Sequence, residues 1–211
     1  MILENLVVSP FQSNCWIVGC EETREGVVID PGDEAERILD IVTAHQLKIR
    51  YVIHTHGHLD HVSATATVQR ETGGLMLIHK ADEILLDELP TQAIMFGLNE
   101  PEIPKIDQYI REGDRISFGH YTLSVIETPG HSPGGVCLKL EGDKPALFAG
   151  DTLFQGSIGR TDLWGGSYDG LIRSIREKLW HLDDETVIYP GHGPRTTLGA
   201  EKRENPFLQG L

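Results

Sequence analysis

The stretch that constrains this chain most is Thr55-His56-Gly57-His58-Leu59-Asp60-His61, which follows an apolar run at residues 49–53 and leads into helical spacing. So many histidines and an aspartate so close together suit neither a packed core nor an ordinary turn. In an extended segment side chains alternate with a period of two, so His56 and His58 point the same way and can share one metal ion. Asp60 and His61 fall where a helix begins, turned away from that pair and able to hold a second ion. Burying these groups together without a cation would leave polar atoms unpaired, at roughly 1–3 kcal/mol each. A metal removes that penalty.

The text around the motif alternates between strand and helix patterns. Strands are predicted over 3–8, 15–19 and 26–29, then a helix over 33–46 with Asp33 as its N-cap. A strand at 49–53 feeds the motif, followed by a helix over 60–71, a strand at 75–78 and a helix over 81–89 that Pro90 stops. Residues 91–105 read as an irregular loop over a site. Strands return at 115–118, 121–126, 136–140 and 146–149, with a Gly-rich loop over 150–166, a helix over 168–180, a strand at 186–189 and a short helix over 198–204. Both halves run strands first and helices after, which predicts an α/β fold with two sheets face to face and helices outside. A length of 211 residues fits a single domain, 1–211.

The net charge of −14 would repel a phosphate backbone, so nucleic acid is not expected as a partner. No apolar run approaches the roughly 20 residues of a membrane span, and the start lacks a basic segment followed by an apolar one. A cytoplasmic location is expected, with no membrane partner. Cys15, Cys20 and Cys137 are an odd number, which fits reduced thiols better than disulfides.

Three further segments each follow a predicted strand: Thr128-Pro129-Gly130-His131-Ser132-Pro133-Gly134, Gly150-Asp151 and Gly191-His192-Gly193. Taken singly, His131 also reads as a turn residue and Asp151 as a cap. As an ordered set, HxHxDH, TPGHSPG, GD and GHG resemble the metallo-β-lactamase superfamily over nearly the whole chain. Residues 154–162, Phe-Gln-Gly-Ser-Ile-Gly-Arg-Thr-Asp, and the ending from Gly191 through Phe207 resemble the short type II glyoxalases, the hydroxyacylglutathione hydrolase-like proteins.

That resemblance implies a four-layer αββα sandwich of two mixed β-sheets flanked by helices. It implies a first metal on His56, His58 and His131, a second on Asp60, His61 and His192, and Asp151 bridging them. Two divalent ions are expected, zinc first, with iron or manganese as the other options. No cysteine stands at the Asp151 position, unlike the zinc β-lactamases with a thiolate ligand.

Coordination to zinc lowers the pKa of water from 15.7 to about 7, which makes hydroxide available as a nucleophile. The favoured expectation is hydrolysis of a small anionic thioester such as S-lactoylglutathione, with Asp60 orienting the hydroxide and taking its proton. Arg160 either grips a substrate carboxylate or pins its loop through Asp162. Asp162 stands where longer glyoxalase II enzymes have a tyrosine, and with 19 residues after His192 no C-terminal helical glutathione-binding domain is expected. Two alternatives are a glutathione persulfide dioxygenase with a single iron and a non-catalytic metal-binding module. His54 is either a partner that orients a ligand or a packed strand residue. His45, His79, His120 and His181 have no ligand-like spacing, and Phe154, Trp164 and Tyr168 read as packing residues. The sequence fixes no oligomeric state.

Overall fold

Period-two alternation decides the layering of this chain, as its two central strands show. In β3 (Glu25–Ile29), Val27 and Ile29 enter one apolar cluster while Val28 enters another on the opposite face. In β10 (Ala146–Gly150), Ala146 and Phe148 join that first cluster, and Leu147 and Ala149 turn away from it. The shared cluster therefore lies between two sheets, and each sheet has a second apolar face that must be covered by helices.

The computed structural model describes residues 1–142 and 145–210; residues 143, 144 and 211 of the expected domain 1–211 lie outside the described residues. The first sheet runs in the order β1 (Ile2–Val8), β2 (Ser13–Gly19), β3, β4 (Lys48–Ile53), β5 (Leu75–His79) and β6 (Gln108–Ile110). It is antiparallel from β1 to β3 and parallel from β3 to β6. In the second sheet the order is β14 (Thr196–Thr197), β13 (Val187–Pro190), β10, β9 (Val136–Leu140), β8 (Tyr121–Glu127) and β7 (Arg115–Phe118). There only β10 and β13 are parallel.

Helices α1 (Ala35–Ala44) and α3 (Thr65–Thr72) cover the outer face of the first sheet, through Ile38, Val42 and Val68. Helices α6 (Tyr168–Ser174) and α7 (Leu198–Glu204) cover the second, through Leu171 and Leu198. The result is the αββα sandwich of two mixed sheets.

Several local expectations are corrected. Asp33 does not cap α1: Glu34 occupies that position in a left-handed conformation, and Asp33 Oδ1 only accepts from the Glu34 N–H. The helix expected over 60–71 is two, α2 (Leu59–Val62) and α3, which lets the chain turn immediately after the histidines. Pro90 starts a helix rather than ending one. Helix α4 (Glu83–Asp87) follows a short 3₁₀ turn, and α5 (Leu89–Phe96) carries Pro90 in its first turn, where the missing N–H costs nothing. Half of the supposed loop over 91–105 thus belongs to a helix or its end. The Gly-rich stretch contains a small hairpin, β11 (Leu153–Phe154) with β12 (Ser157–Ile158), and the helix expected over 168–180 widens to a π-helical turn over Ile175–Leu179.

The two sheets are stitched at one end. The Asn14 N–H donates to the Gly191 carbonyl at 2.7 Å, and Asn14 Nδ2 donates to the Pro190 and Gly193 carbonyls at 2.9 Å each. The ends of β4, β10 and β13 and the turn between β8 and β9 meet there.

Candidate metal centre

All seven sequence-predicted ligands converge at that end. His56, His58, Asp60 and His61 come from the turn after β4, His131 from the turn after β8, Asp151 from the end of β10 and His192 from the end of β13. The donor atoms of His56, His58 and His131 lie within 4.8 Å of one another, as do those of Asp60, His61 and His192. Asp151 reaches both groups: Oδ2 is 3.5 Å from His131 Nε2 and 3.6 Å from His192 Nε2, and Oδ1 is 3.5 Å from His61 Nε2. Asp60 Oδ2 stands 3.2 Å from His192 Nε2 and 3.5 Å from His61 Nε2. Such an approach needs Gly191, because a Cβ there would collide with Asp151 Oδ1.

The ring orientations are held from outside the cluster. His131 Nδ1 donates to the Arg160 carbonyl at 2.8 Å, and His192 Nδ1 donates to the Phe11 carbonyl at 3.1 Å. A carbonyl only accepts, so both rings carry their proton on Nδ1 and turn the Nε2 lone pair inward. Asp30 Oδ2 does the same for His61 Nδ1 at 3.2 Å. Thr55 Oγ1 donates to Asp30 Oδ2 at 2.6 Å, which leaves it accepting from His56 Nδ1 at 3.0 Å. His58 is the exception, with Nδ1 facing inward 2.8 Å from His131 Nε2. Two lone pairs facing at that distance repel unless a proton or a shared cation intervenes.

A cation fits this donor set on the structure's own terms. His56 Nε2 and Asp151 Oδ1 are buried and have no hydrogen-bond partner among the described residues, a cost that coordination would remove. Burial and the neighbouring His131 push His58 down to about 3, and burial with the surrounding rings pushes His56 well below its ordinary value, so both are neutral, the ligand form. The other half of the cluster is anionic. Burial opposes a charged His61, yet the carboxylates of Asp60, Asp151 and Asp30 outweigh it and raise His61 to about 10. Burial likewise opposes ionised Asp60, but the neighbouring His61 and His192 hold its carboxyl well below the usual range. Imidazole and carboxylate donors without cysteine suit zinc or iron.

Sequence reasoning missed two buried carboxylates. Asp30, in a left-handed conformation at the end of β3, reads in the sequence as part of an Asp-Pro-Gly turn. Asp82 accepts from the Gly57 N–H at 3.0 Å, the Ser132 hydroxyl at 2.7 Å and the Gly134 N–H at 2.5 Å, tying the loop of His56 and His58 to the loop of His131. Nothing in its Lys-Ala-Asp-Glu surroundings marks it. His54 is fully buried behind the centre, 3.2 Å from Thr65 Oγ1 and 3.9 Å from Asp30. His45, His79 and His120 pair with Glu4, Glu127 and Glu22 away from the cluster, and His181 is exposed.

A cleft of about 530 Å³ opens over His58, Asp60, His131, Asp151 and His192. Arg160 lines it, but its fork lies on Asp162, Nε and Nη2 each 2.7 Å from a carboxylate oxygen. Trp164, expected as a packing residue, is 61% exposed and lines the mouth, while Tyr168 is half-exposed on α6 and Phe154 stands edge-on to His192 with centroids 6.0 Å apart. Cys15, Cys20 and Cys137 are buried free thiols. Among the described residues no helix is long and apolar enough to cross a membrane.

Comparison with known proteins agrees with this geometry. The chain is 40% identical over 215 residues to hydroxyacylglutathione hydrolase GloC of Haemophilus influenzae, covering 99% of this chain and 98% of that protein. Its fold superposes on the BLEG-1 B3 metallo-beta-lactamase with a TM-score of 0.91 at 34% identity, over 99% of this chain and all of the other. It also superposes on TTHA1623, solved in a di-iron-bound form, with a TM-score of 0.87 at 38% identity, over 97% of this chain and all of that one. The model of the metallo-beta-lactamase superfamily matches residues 8–192, a span that holds every one of the seven converging side chains, and the chain belongs to that superfamily of metal-dependent hydrolases.

Proposed function

We propose that this protein hydrolyses thioesters, with two divalent ions held as His56, His58 and His131 on one side, Asp60, His61 and His192 on the other, and Asp151 between. The observation that carries this reading is the inward set of lone pairs, with His56 Nε2 and Asp151 Oδ1 buried and unpartnered among the described residues. The likeness to a hydroxyacylglutathione hydrolase supports the thioester as the bond cleaved. When bound, such ions supply Lewis acidity and water activation at neutral pH.

The chain's own groups do the rest. Asp60 is partly open to the cleft, and the carboxylate oxygen that does not hold a cation would accept a hydrogen bond from an attacking water and take its proton. His131 and His192, held by the Arg160 and Phe11 carbonyls, keep the floor of the cleft fixed as the substrate changes shape. A thiol of pKa roughly 8–9 leaves without an acid to protonate it. The likeness to BLEG-1 favours a second reading in which a lactam carbonyl is the electrophile in the same cleft.

Elemental analysis of protein purified without chelator, beside assays with a thioester panel including S-lactoylglutathione, a β-lactam and oxygen uptake with glutathione persulfide, tests these readings. Two metals per chain and thioester turnover are expected. No turnover of any thioester overturns the proposal, and oxygen uptake with one iron per chain replaces it by the dioxygenase reading.

A further inference from the structure

Beyond the histidines and aspartates the cleft is walled largely by apolar side chains, and nothing in hydrolysis itself requires that. Ile84 of α4, Met95 and Phe96 of α5, Phe11 from the turn between β1 and β2, and Leu163 and Trp164 from the loop before α6 line it. All of these side chains except the half-buried Leu163 are exposed where burial would be expected: Met95 is 74% exposed and Phe96 48%. A contiguous patch of this kind, rimming a polar site, marks a surface that a ligand covers.

Charge points the same way. Among the described residues lining the cleft, Arg160 is the one permanent cation, and Asp162 already occupies its guanidinium. Glu88 adds a carboxylate to the wall. A substrate with free carboxylates finds no cation to receive them there, whereas an alkyl or aryl group finds area to bury. The wall is also coupled to the centre, since Phe11 receives His192 Nδ1 on its carbonyl while its ring packs edge-on against Phe96 with centroids 4.9 Å apart.

We infer that the substrate presents an apolar alkyl or aryl group to this wall while its carbonyl lies over the metal centre. The inference rests on the hydrolase reading for the reaction, but not for the binding. The group can belong to the acyl part or to the thiol part of the thioester, and the test separates the two.

Two measurements on the metal-loaded protein decide it. Calorimetric binding of non-hydrolysable S-alkyl ethers of mercaptoethanol, from methyl to hexyl, is expected to tighten about three- to fourfold per methylene. Met95→Ser and Phe96→Ser flatten that series, and because both residues are largely exposed, an unchanged melting temperature shows that the fold is intact. Affinity independent of chain length, or a series that neither variant flattens, overturns the inference. In parallel, kcat/KM is measured for acyl chains of rising length on one small thiol and for thiols of rising length on acetyl. A rise in the first series places the group on the acyl side, and a rise in the second places it on the thiol side. Turnover that ignores length in both series overturns the inference and leaves the hydrolase reading standing. Length-dependent binding with no turnover of any thioester does the reverse.

Discussion

A neutral imidazole binds a cation only through the nitrogen that carries no proton, so the outer partner of each ring matters nearly as much as the ring. His56→Ala and Asp151→Ala each remove a donor, and elemental analysis should find metal content reduced in both; full content in either would refute its place as a ligand. Asp30→Asn keeps the shape beside His61 and Thr55 but weakens the acceptor that fixes both. The expected result is metal affinity lower by about 10–100-fold with the fold retained, measured by competition with a chromophoric chelator. For Arg160→Ala the occupied fork predicts no discrimination: KM should change by less than about fivefold, and equally, for anionic and neutral thioesters. A rise confined to anionic substrates would restore the carboxylate grip. The convergence of the seven side chains was legible because HxHxDH packs its information into adjacent positions. Asp30 and Asp82 were not, since each sits in a segment whose local text reads as turn or helix start, and only the tertiary fold brings them against the histidines.

At the scale of elements, strand ends carry the donors and short helices carry the walls. The longer strands were legible from their alternation, and β3 and β10 divide their residues between two cores as a period of two requires, whereas β6, β11, β12 and β14 are only two or three residues long and too short to show a period. The helical region after β5 was not, because Pro90 reads equally as a stop and as a first-turn residue, and local propensity does not choose between them. That choice matters, since α5 delivers Met95 and Phe96 to the cleft. Asp82, at the start of α4, joins this helical wall to the loops of His56, His58 and His131 through the Gly57, Ser132 and Gly134 donors. In Asp82→Asn an amide N–H₂ faces donors that need acceptors, and each buried donor left unpaired costs about 1–3 kcal/mol. Denaturation should show a stability loss of that order, and metal content should fall as His131 drifts from His56 and His58. A variant that is destabilised but keeps its full metal content would limit Asp82 to supporting the fold.

For the whole molecule, the centre lies between the sheets and draws donors from both: the turn after β4 from one, and the ends of β10 and β13 and the turn after β8 from the other. Bound ions therefore act as a cross-brace, and a ligand present at a thousand times its dissociation constant adds about 4 kcal/mol to folding. Chelation should lower the melting temperature by on the order of 10 °C. The size of that drop should depend on pH, with a definite sign. In the chelated protein His61 binds a proton where the cation had been. Burial opposes that proton, but the carboxylates of Asp60, Asp151 and Asp30 outweigh burial and raise the group to about 10, against roughly 6.5 in the unfolded chain. Stability from a raised group is fully present below its unfolded pKa and is lost as pH rises through its folded one. The metal-free protein should thus weaken between about pH 6.5 and 10, while ions bind more tightly over the same range because fewer protons compete for the donors. These are two sides of one proton–cation exchange, which widens the gap between loaded and chelated melting temperatures as pH rises. Paired thermal scans at pH 6 and pH 9 measure it, and a gap that narrows would mean that proton and cation do not exchange at this site.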